Sequence, residues 1–440
     1  MCKLLGILVA LIFTSLYFFP VSLIAYPDMN SKTAMAIIGG ILLVFNLSRR
    51  RAPYIDSGLL RIALWALAVS FISILSMVYN DTNDDSYATY IISMCVWLSA
   101  SYVVSIIIYQ VHGDISVKLI ANYLIAVCTL QCILAFIISQ SFVLEELVNS
   151  IFLTGGQSMS KGRLYGIGAS VDIAGLRFMA VLVIISYVIF HLTESESKKY
   201  LKWYVLSFFI IGFIGNMISR TSMFGVIIGI LYLGWGTVTL IKDWKYAVRL
   251  WQYIYCGIFL IIVGATFLYN TNKSFHDSMH FGFEGFFSLY DDGEWNVNSN
   301  RSLIYMLKNI RPEHTRTWVI GDGYCGNPSN DPYYTGIQYV GYYMDTDVGY
   351  MRFIFYFGVI GTLIFMGYFY QVAYICGKHY PRYSGMFFLI LLCNFIGWVK
   401  VSTDLFLVFA IFLSMIFINT KPKIENVSIN GLSQVKQHLM

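Results

Sequence analysis

Charged residues are scarce in this chain: only 12% of its 440 residues are Asp, Glu, Lys or Arg, whereas 58% are hydrophobic. Soluble globular domains carry about 25% charged residues. The shortage of charge therefore excludes an ordinary soluble domain and favours a protein that crosses a membrane many times. Aromatic residues make up 17% of the chain, which suits membrane interfaces. We expect an all-α polytopic membrane protein.

Several signatures of soluble enzymes are also missing. The sequence has no P-loop, no GxSxG, no HExxH and no GxGxxG that follows a strand. Its eight cysteines form no CxxC pair and no zinc spacing, and no block of Lys and Arg resembles a nucleic-acid surface. We therefore expect no ATP, no metal ion, no cofactor and no nucleic-acid partner.

Long hydrophobic runs dominate what is present. A membrane-spanning helix needs about 20 apolar residues. Three of the runs are shorter than the minimum of about 17 residues, so we predict about twelve spans, with an error of one or two. The first run has features of a signal peptide, but its apolar core is long for one, and we favour an uncleaved span. The runs cover residues 4–26, 33–47, 58–79, 86–109, 117–139, 172–193, 203–218, 221–241, 250–269, 348–374, 384–399 and 403–419.

Clusters of Lys and Arg predict the orientation. With twelve spans, five clusters fall on one side of the membrane, and Lys400 is an exception. Because cytoplasmic loops are enriched in Lys and Arg, we expect both termini in the cytoplasm. The clusters are Arg49 to Arg51, Lys198 to Lys202, Lys242 to Arg249, Lys378 to Arg382, and Lys421 with Lys423.

Two predicted outward loops separate the spans. The larger one carries ten acidic, five basic and fifteen aromatic residues. Within it, Asn298 to Ile310 has the apolar spacing of an amphipathic helix, and Gly321 to Gly323 predicts a turn. The predicted parts of the chain are spans 1–5 in 1–139, a medium loop in 140–171, spans 6–9 in 172–269, the large loop in 270–347, spans 10–12 in 348–419, and a cytoplasmic tail in 420–440.

Arg220 is the only charged residue between Trp203 and Ile241. A single helix over this stretch would be about 58 Å long, nearly twice the roughly 30 Å thickness of the hydrocarbon core. We therefore predict a tight hairpin that turns between Asn216 and Ser222, with Arg220 at its outer end. Four other arginines are predicted near the outer face: Arg163, Arg177, Arg301 and Arg352.

These arginines predict an anion-binding site. An arginine at bilayer depth costs about 2.5–3.5 kcal/mol on insertion scales, and outward arginines oppose the positive-inside bias. The guanidinium group matches phosphate oxygens in a bidentate fork. For Arg177 and Arg352, the alternative is a side chain that extends to lipid headgroups or pairs with a nearby acid. For Arg220, in a short turn, we favour a functional role.

Two carboxylates precede the tenth predicted span. Asp345 and Asp347 are predicted to lie at the outward face of the membrane that the chain spans, where a carboxylate can accept a proton from a sugar hydroxyl. The alternative is a helix N-cap, because Asp is favoured there and complements the helix dipole.

Five short motifs, in this order, resemble the O-antigen polymerase family of bacterial envelope enzymes and its relative, the O-antigen ligase. The resemblance covers roughly residues 160–365 and the plan of spans. It departs from the family in one spacing: eleven residues separate Arg163 from Gly175 and nine separate Arg311 from Gly321, where ten are expected. The motifs are RLYGIG at 163–168, SRTSMFG at 219–225, NRSLIYMLKN at 300–309, VIGDGYCG at 319–326 and DTDVGYMRFIFYFGVIG at 345–361.

The resemblance implies a glycosyltransferase of the cell (inner) membrane that uses an undecaprenyl-diphosphate-linked oligosaccharide and no nucleotide sugar. A polymerase joins repeat units into O-antigen or a similar surface polysaccharide, as in lipopolysaccharide synthesis, whereas a ligase transfers the glycan to the lipid A core. Ligases carry a histidine near the end of the large loop; Asp345-Thr-Asp347 stands here instead, which favours a polymerase. Membrane lipid, a flippase and a chain-length regulator of the same pathway are the implied partners.

The predicted mechanism is direct displacement at the anomeric carbon. Arg220 and Arg301 would stabilise the departing diphosphate in place of a metal ion, and Asp347 would orient or deprotonate the attacking hydroxyl. Arg163, Arg177, Arg352 and Asp345 are predicted to bind substrate, with loop aromatics against sugar faces. A flippase for the same lipid, or an inactive scaffold of the pathway, are the alternatives from other classes.

Overall fold

The computed structural model describes residues 2–48, 56–153, 162–240, 244–331, 334–337, 339 and 341–418. Some of the basic residues that predict the orientation lie outside the described residues. These are Arg49 to Arg51, Lys242, Lys421 and Lys423, together with the predicted tail at 420–440.

The described residues form seventeen α-helices and one pair of short antiparallel strands. The helices are α1 Cys2–Phe18, α2 Ser31–Ser48, α3 Ser57–Asn80, α4 Tyr90–His112, α5 Val117–Ser139, α6 Phe142–Ile151, α7 Val171–Ile189, α8 Glu194–Ile218, α9 Ser222–Thr239, α10 Trp244–Thr271, α11 Lys273–Gly282, α12 Glu284–Asp291, α13 Asn298–Asn309, α14 Thr315–Val319, α15 Gly349–His379, α16 Ser384–Gly397 and α17 Phe406–Ile418; the strands are β1 Ser22–Leu23 and β2 Tyr26–Asn30.

Nine of the described helices are long and apolar enough to cross a membrane. Helices α1, α16 and α17 are apolar but shorter. Large apolar side chains are exposed on the outside of the bundle, and in α10 only Ala247 and Leu250 are buried. A helix that presents apolar residues to its surroundings along its length is typical of a lipid-facing position. The prediction of a helical membrane protein is confirmed. The nine helices are α2, α3, α4, α5, α7, α8, α9, α10 and α15.

Helix α7 forms the centre of the bundle. Every residue from Ala174 to Ile189 is buried, and α5, α8, α9 and α16 pack around it. The predicted hairpin is also confirmed, since α8 ends at Ile218 and α9 begins at Ser222.

Contacts between loops define two faces of the bundle. We call one the loop-rich face; it carries the predicted large loop, which contains α11 to α14, and the amphipathic helix predicted there is α13. The opposite face joins the α4–α5, α7–α8 and α15–α16 connections. On the loop-rich face, hydrogen bonds join the loops at 81–89, 162–170, 219–221, 272–348 and 398–405.

Helix α15 is broken near its start, and the break fixes the large loop to the bundle. Gly358 has φ +68, a left-handed conformation that glycine adopts at little cost. The freed carbonyl of Tyr356 accepts hydrogen bonds from the Gly323 amide at 3.1 Å and the Ser76 hydroxyl at 2.6 Å. Gly321 and Gly323 both have positive φ, so the predicted turn is confirmed and seats on the break.

Candidate functional site

A cavity of about 1340 Å³ opens at the loop-rich face. About half of its lining residues lie on α11, α12 and α13, and the others come from the connections of these helices and from four other segments of the chain. Five of the seven residues that the sequence proposed as a site line this one cavity, although they are spread over nearly 200 positions of the sequence. They are Arg163, Arg220, Arg301, Asp347 and Arg352.

Arg220 lies in the turn between α8 and α9 and is held on three sides. Its Nε donates to the Phe281 carbonyl at 2.8 Å, one terminal nitrogen donates to Ser299 Oγ at 3.1 Å, and the other pairs with Glu284 at 2.6 Å. A guanidinium group has five N–H donors, so these contacts leave two for a ligand. The partners all lie on α11, α12 and α13, so this arginine also anchors the wall of the cavity.

Arg163 and Arg220 share one aromatic ring. The ring of Phe281 lies 5.2 Å from the Arg163 guanidinium carbon and 4.6 Å from that of Arg220. Arg163 Nε donates to the Ile218 carbonyl at 2.9 Å. Burial lowers the pKa of Arg163, nearby Asp172 opposes this effect, and the positive charge of Arg220 adds to it. Two like charges this close are unfavourable alone and favourable around an anion.

Asp172, at the start of α7, holds the cations of this region together. Its Oδ1 accepts hydrogen bonds from Ser219 Oγ at 2.7 Å, Thr221 Oγ1 at 2.9 Å and Lys400 Nζ at 2.9 Å, and it lies 3.7 Å from Arg163. One carboxylate therefore joins the α8–α9 turn, the segment before α7 and the α16–α17 loop. Charge-assisted hydrogen bonds of this kind are the stronger ones in proteins.

The backbone next to Asp172 is strained. Val171, which precedes Asp172 and lines the cavity, has φ +46. A left-handed conformation is a real outlier for a β-branched residue and costs about 1–3 kcal/mol. Gly175, one turn along α7, lies directly against Ser219, where a Cβ atom would collide. Such strain persists only where the surroundings determine it, and it clusters at functional sites.

Arg352 is buried in the first turn of α15. Its guanidinium group donates to the Cys325 carbonyl at 2.9 Å and stacks on the ring of Tyr342 at 3.4 Å. Burial raises the pKa of the Cys325 thiol to about 11, so this cysteine stays neutral beside the arginine. Arg352 is thus a fixed, partly screened cation in the cavity wall.

Arg301 is the least constrained cation. It is exposed on α13, and its one described hydrogen bond goes to Asn298 Oδ1 at 2.6 Å. Helix α13 itself is attached through the Asn298 amide, which donates to Glu284 Oε1 at 3.3 Å. Because Glu284 also pairs with Arg220, a ligand that displaces this carboxylate would affect both arginines.

The two aspartates before α15 differ in position. Asp347 is exposed and lines the cavity, whereas Asp345 is exposed outside its lining, in a tight turn with φ +48. The interpretation of Asp347 as a helix cap is wrong: Val348 is the N-cap residue, and no side chain caps α15. Asp347 precedes the cap position by one residue, which removes it from the usual geometry of a capping side chain.

Arg177 does not line the cavity either. It lies five residues after Asp172 on α7, and five residues turn a helix by about 140° beyond a full turn. The side chain therefore points into the bundle, where it is buried, lies 5.6 Å from the ring of Phe19, and has no hydrogen-bond partner for Nε. The structure does not bring Arg177 and Asp345 to the site that the other five residues share.

The cavity is mixed in charge, which the sequence did not predict. Its lining has five cationic side chains and six carboxylates. Three aromatic residues of the large loop line it, namely Phe281, Phe287 and Tyr342, and two of these rings are covered by arginines. The predicted contact of loop aromatics with sugar faces stays a prediction, with these three rings as the candidates in the cavity. Among the described residues, no group of three or more His, Cys, Asp or Glu could hold a metal ion. The residues that sequence reasoning missed are Asp172, Asp277, Glu284, Asp291, Asp292 and Lys400.

This lining has a definite chemical capacity. Arginine and lysine side chains provide donors for phosphate oxygens, whereas carboxylates and amides accept hydrogen bonds from hydroxyl groups. A ligand that combines an anion with many hydroxyls satisfies both sets. No protein-family model, curated protein or solved structure matches this chain.

Proposed function

We propose that this protein polymerises oligosaccharide repeat units carried on a polyprenyl diphosphate, at the outer face of the cytoplasmic membrane. The observation that carries the proposal is the convergence of Arg163, Arg220, Arg301, Arg352 and Asp347 on one large cavity at the loop-rich face of a membrane protein. The sequence alone predicts these residues to bind diphosphate or to transfer a proton, and they lie far apart along the chain.

The diphosphate is placed between the cations of the α8–α9 turn and those of the loops. Arg163 and Arg220 flank Phe281 and face the same space, and Lys400 reaches Asp172 beside them. Fixed cations held by carboxylates and carbonyls need little rearrangement when negative charge develops on a leaving group. The remaining carboxylates of the lining, above all those of α12, accept hydrogen bonds from the sugars.

The reaction balances without any further reactant. A hydroxyl oxygen of the acceptor repeat forms a bond to the anomeric carbon of the donor glycan. The bond between that carbon and the diphosphate oxygen breaks, and its electron pair leaves with the diphosphate. The hydroxyl proton passes to the carboxylate of Asp347, which is free of backbone capping contacts and lines the cavity.

The proposal includes the topology. Among the described residues, nine helices are long and apolar enough to span the membrane, and we propose that α1, α16 and α17 bring the number of spans to twelve. An even number places both termini on one side, and the bias of Lys and Arg places that side in the cytoplasm. The loop-rich face with its cavity is then extracytoplasmic, where lipid-linked repeat units are exposed.

A deletion strain tests the function and separates it from the alternatives. Loss of a polymerase leaves surface glycan as single repeats, loss of a ligase strands long chains on the lipid carrier, and loss of a flippase traps repeats on the inner side. Single repeats on gels, restored to long chains by the wild-type gene, support the proposal. Either of the other two patterns, or chains of unchanged length, would contradict it.

A further inference from the structure

A second cavity lies among the membrane-spanning helices. It is a groove of about 480 Å³ between α8 and α10, with Phe136 of α5 and Phe275 of α11 at the end that lies beside α11. Lys202 is the only charged residue of its lining, and it stands at the end far from α11. The lining is Phe136, Lys202, Trp203, Val205, Leu206, Phe209, Ile210, Phe213, Ile214, Tyr253, Cys256, Gly257, Leu260, Ile261, Gly264, Ala265, Leu268 and Phe275.

The groove has the length of an extended hydrocarbon chain within the bilayer. At 1.5 Å per residue, its wall on α8 from Lys202 to Ile214 is about 18 Å long, and its wall on α10 from Tyr253 to Leu268 is about 22 Å long. These lengths cover more than half of the roughly 30 Å hydrocarbon core.

The groove ends beside the polar cavity. Helix α11 takes part in both, because Phe275 lines the groove while Asp277, His280 and Phe281 line the cavity. Asn216 of α8 donates to the carbonyl of Gly282 at 2.6 Å and fixes the two helices together. Beyond its groove-lining residues, α8 leads within a few residues to the turn that carries Arg220.

We infer that the groove between α8 and α10 holds the isoprenoid chain of the donor lipid while its diphosphate lies at Arg220. The identity of the lipid rests on the proposed function. The position of the chain rests on the groove, on its length, and on a shared helix that places an apolar channel next to a site for anions. The volume of about 480 Å³ suits one hydrocarbon chain, whereas a phospholipid has two chains on one headgroup.

We expect the groove to orient the bound donor lipid. A lipid tail is already in hydrocarbon before it binds, so its binding in the groove gains no free energy of transfer from water. Only packing contacts with the protein are gained. Rigid rings such as Trp203, Phe209 and Phe213 give these contacts a fixed shape. The chain then holds the anomeric carbon at a fixed distance from the cavity wall.

Gly264 offers a way to fill the groove without disturbing the fold. It lines the groove, and a Cβ atom at this position would meet nothing within 4 Å. Gly234 of α9 is equally open but lines neither cavity, so it provides a matched control. Gly257 is unsuitable, because a Cβ atom there would collide with the ring of Phe209.

The test measures donor KM with two donors in purified, reconstituted protein. For a long-chain donor, Gly264→Phe should raise KM by about fivefold through lost packing contacts, while Gly234→Phe leaves it unchanged. For a donor whose isoprenoid is too short to leave the polar cavity, both variants should match the parent. Equal KM values for Gly264→Phe and the parent with the long-chain donor would overturn the inference.

Photo-crosslinking distinguishes this failure from a failure of the proposed function. A polyprenyl diphosphate with a photoreactive group in its chain, bound to the wild-type protein, should label peptides of α8 and α10. Labelling confined to other helices, or labelling of α8 and α10 that excess phospholipid abolishes, would overturn the inference whatever the protein polymerises. The polymerase proposal is judged separately, by glycan chain length.

Discussion

Replacement of Asp347 by Asn distinguishes a role of this side chain in proton transfer from a structural role. The side chain is exposed and makes no capping contact, so its replacement should change the free energy of unfolding by no more than about 0.5 kcal/mol. Asn has no basicity near neutral pH, and removal of a general base typically lowers a rate by about 10²–10⁴-fold. We therefore expect a normally inserted protein whose products remain mostly single repeats.

Asp345→Asn is the matched control for this experiment. Asp345 is also exposed, lies only two residues away, and does not line the cavity, so this variant should polymerise like the parent. The assay supplies purified variants with defined polyprenyl diphosphate repeats and counts products by length over time. If Asp347→Asn works within about threefold of the parent, well short of the loss expected for a missing base, then Asp347 is not the proton acceptor.

Three further predictions concern Arg220, Asp172 and the topology. Arg220→Lys should impair chain growth and Arg220→Ala should impair it more, because an ammonium group cannot reproduce three separate planar contacts; full chain lengths with Ala at normal protein levels would refute this role. Asp172→Asn should lower the free energy of unfolding by about 1.5–3 kcal/mol, because it weakens the hydrogen bonds between this side chain and charged groups. The loss should appear as a lower Tm in detergent, and an unchanged Tm would refute the role of Asp172 in joining these segments. An impermeant thiol reagent should label Ser329→Cys in intact cells and should not label Ser195→Cys. Native Cys325 should stay unlabelled, because its side chain is buried and burial raises its pKa to about 11. Labelling of Ser195→Cys and not of Ser329→Cys would invert the proposed orientation.

Features that depend on neighbouring residues could be predicted from the sequence. One arginine in a long apolar stretch required the turn at Arg220, since no single helix of that length fits a bilayer. The spacing of apolar residues after Asn298 predicted α13, where Leu303, Met306 and Leu307 are half-buried on one face.

Features that depend on distant partners could not be predicted. Asp172 binds groups from three segments that are 9 to 228 residues away, and nothing in its own stretch marks it. Lys400 is an exception to the charge pattern of the sequence, and the structure explains it as the partner of that carboxylate. The predicted depth of Arg177 resembles that of the other arginines, but the rotation of α7 about its axis decides where its side chain points.

The most direct test of the account is polymerisation by the protein alone. The purified wild-type protein, reconstituted in lipid, receives only polyprenyl-diphosphate-linked repeat units, without nucleotide sugar, ATP or added metal ion. We expect a ladder of products that lengthens with time and a matching release of polyprenyl diphosphate. If correctly folded protein leaves every repeat unit single, the central claim is contradicted.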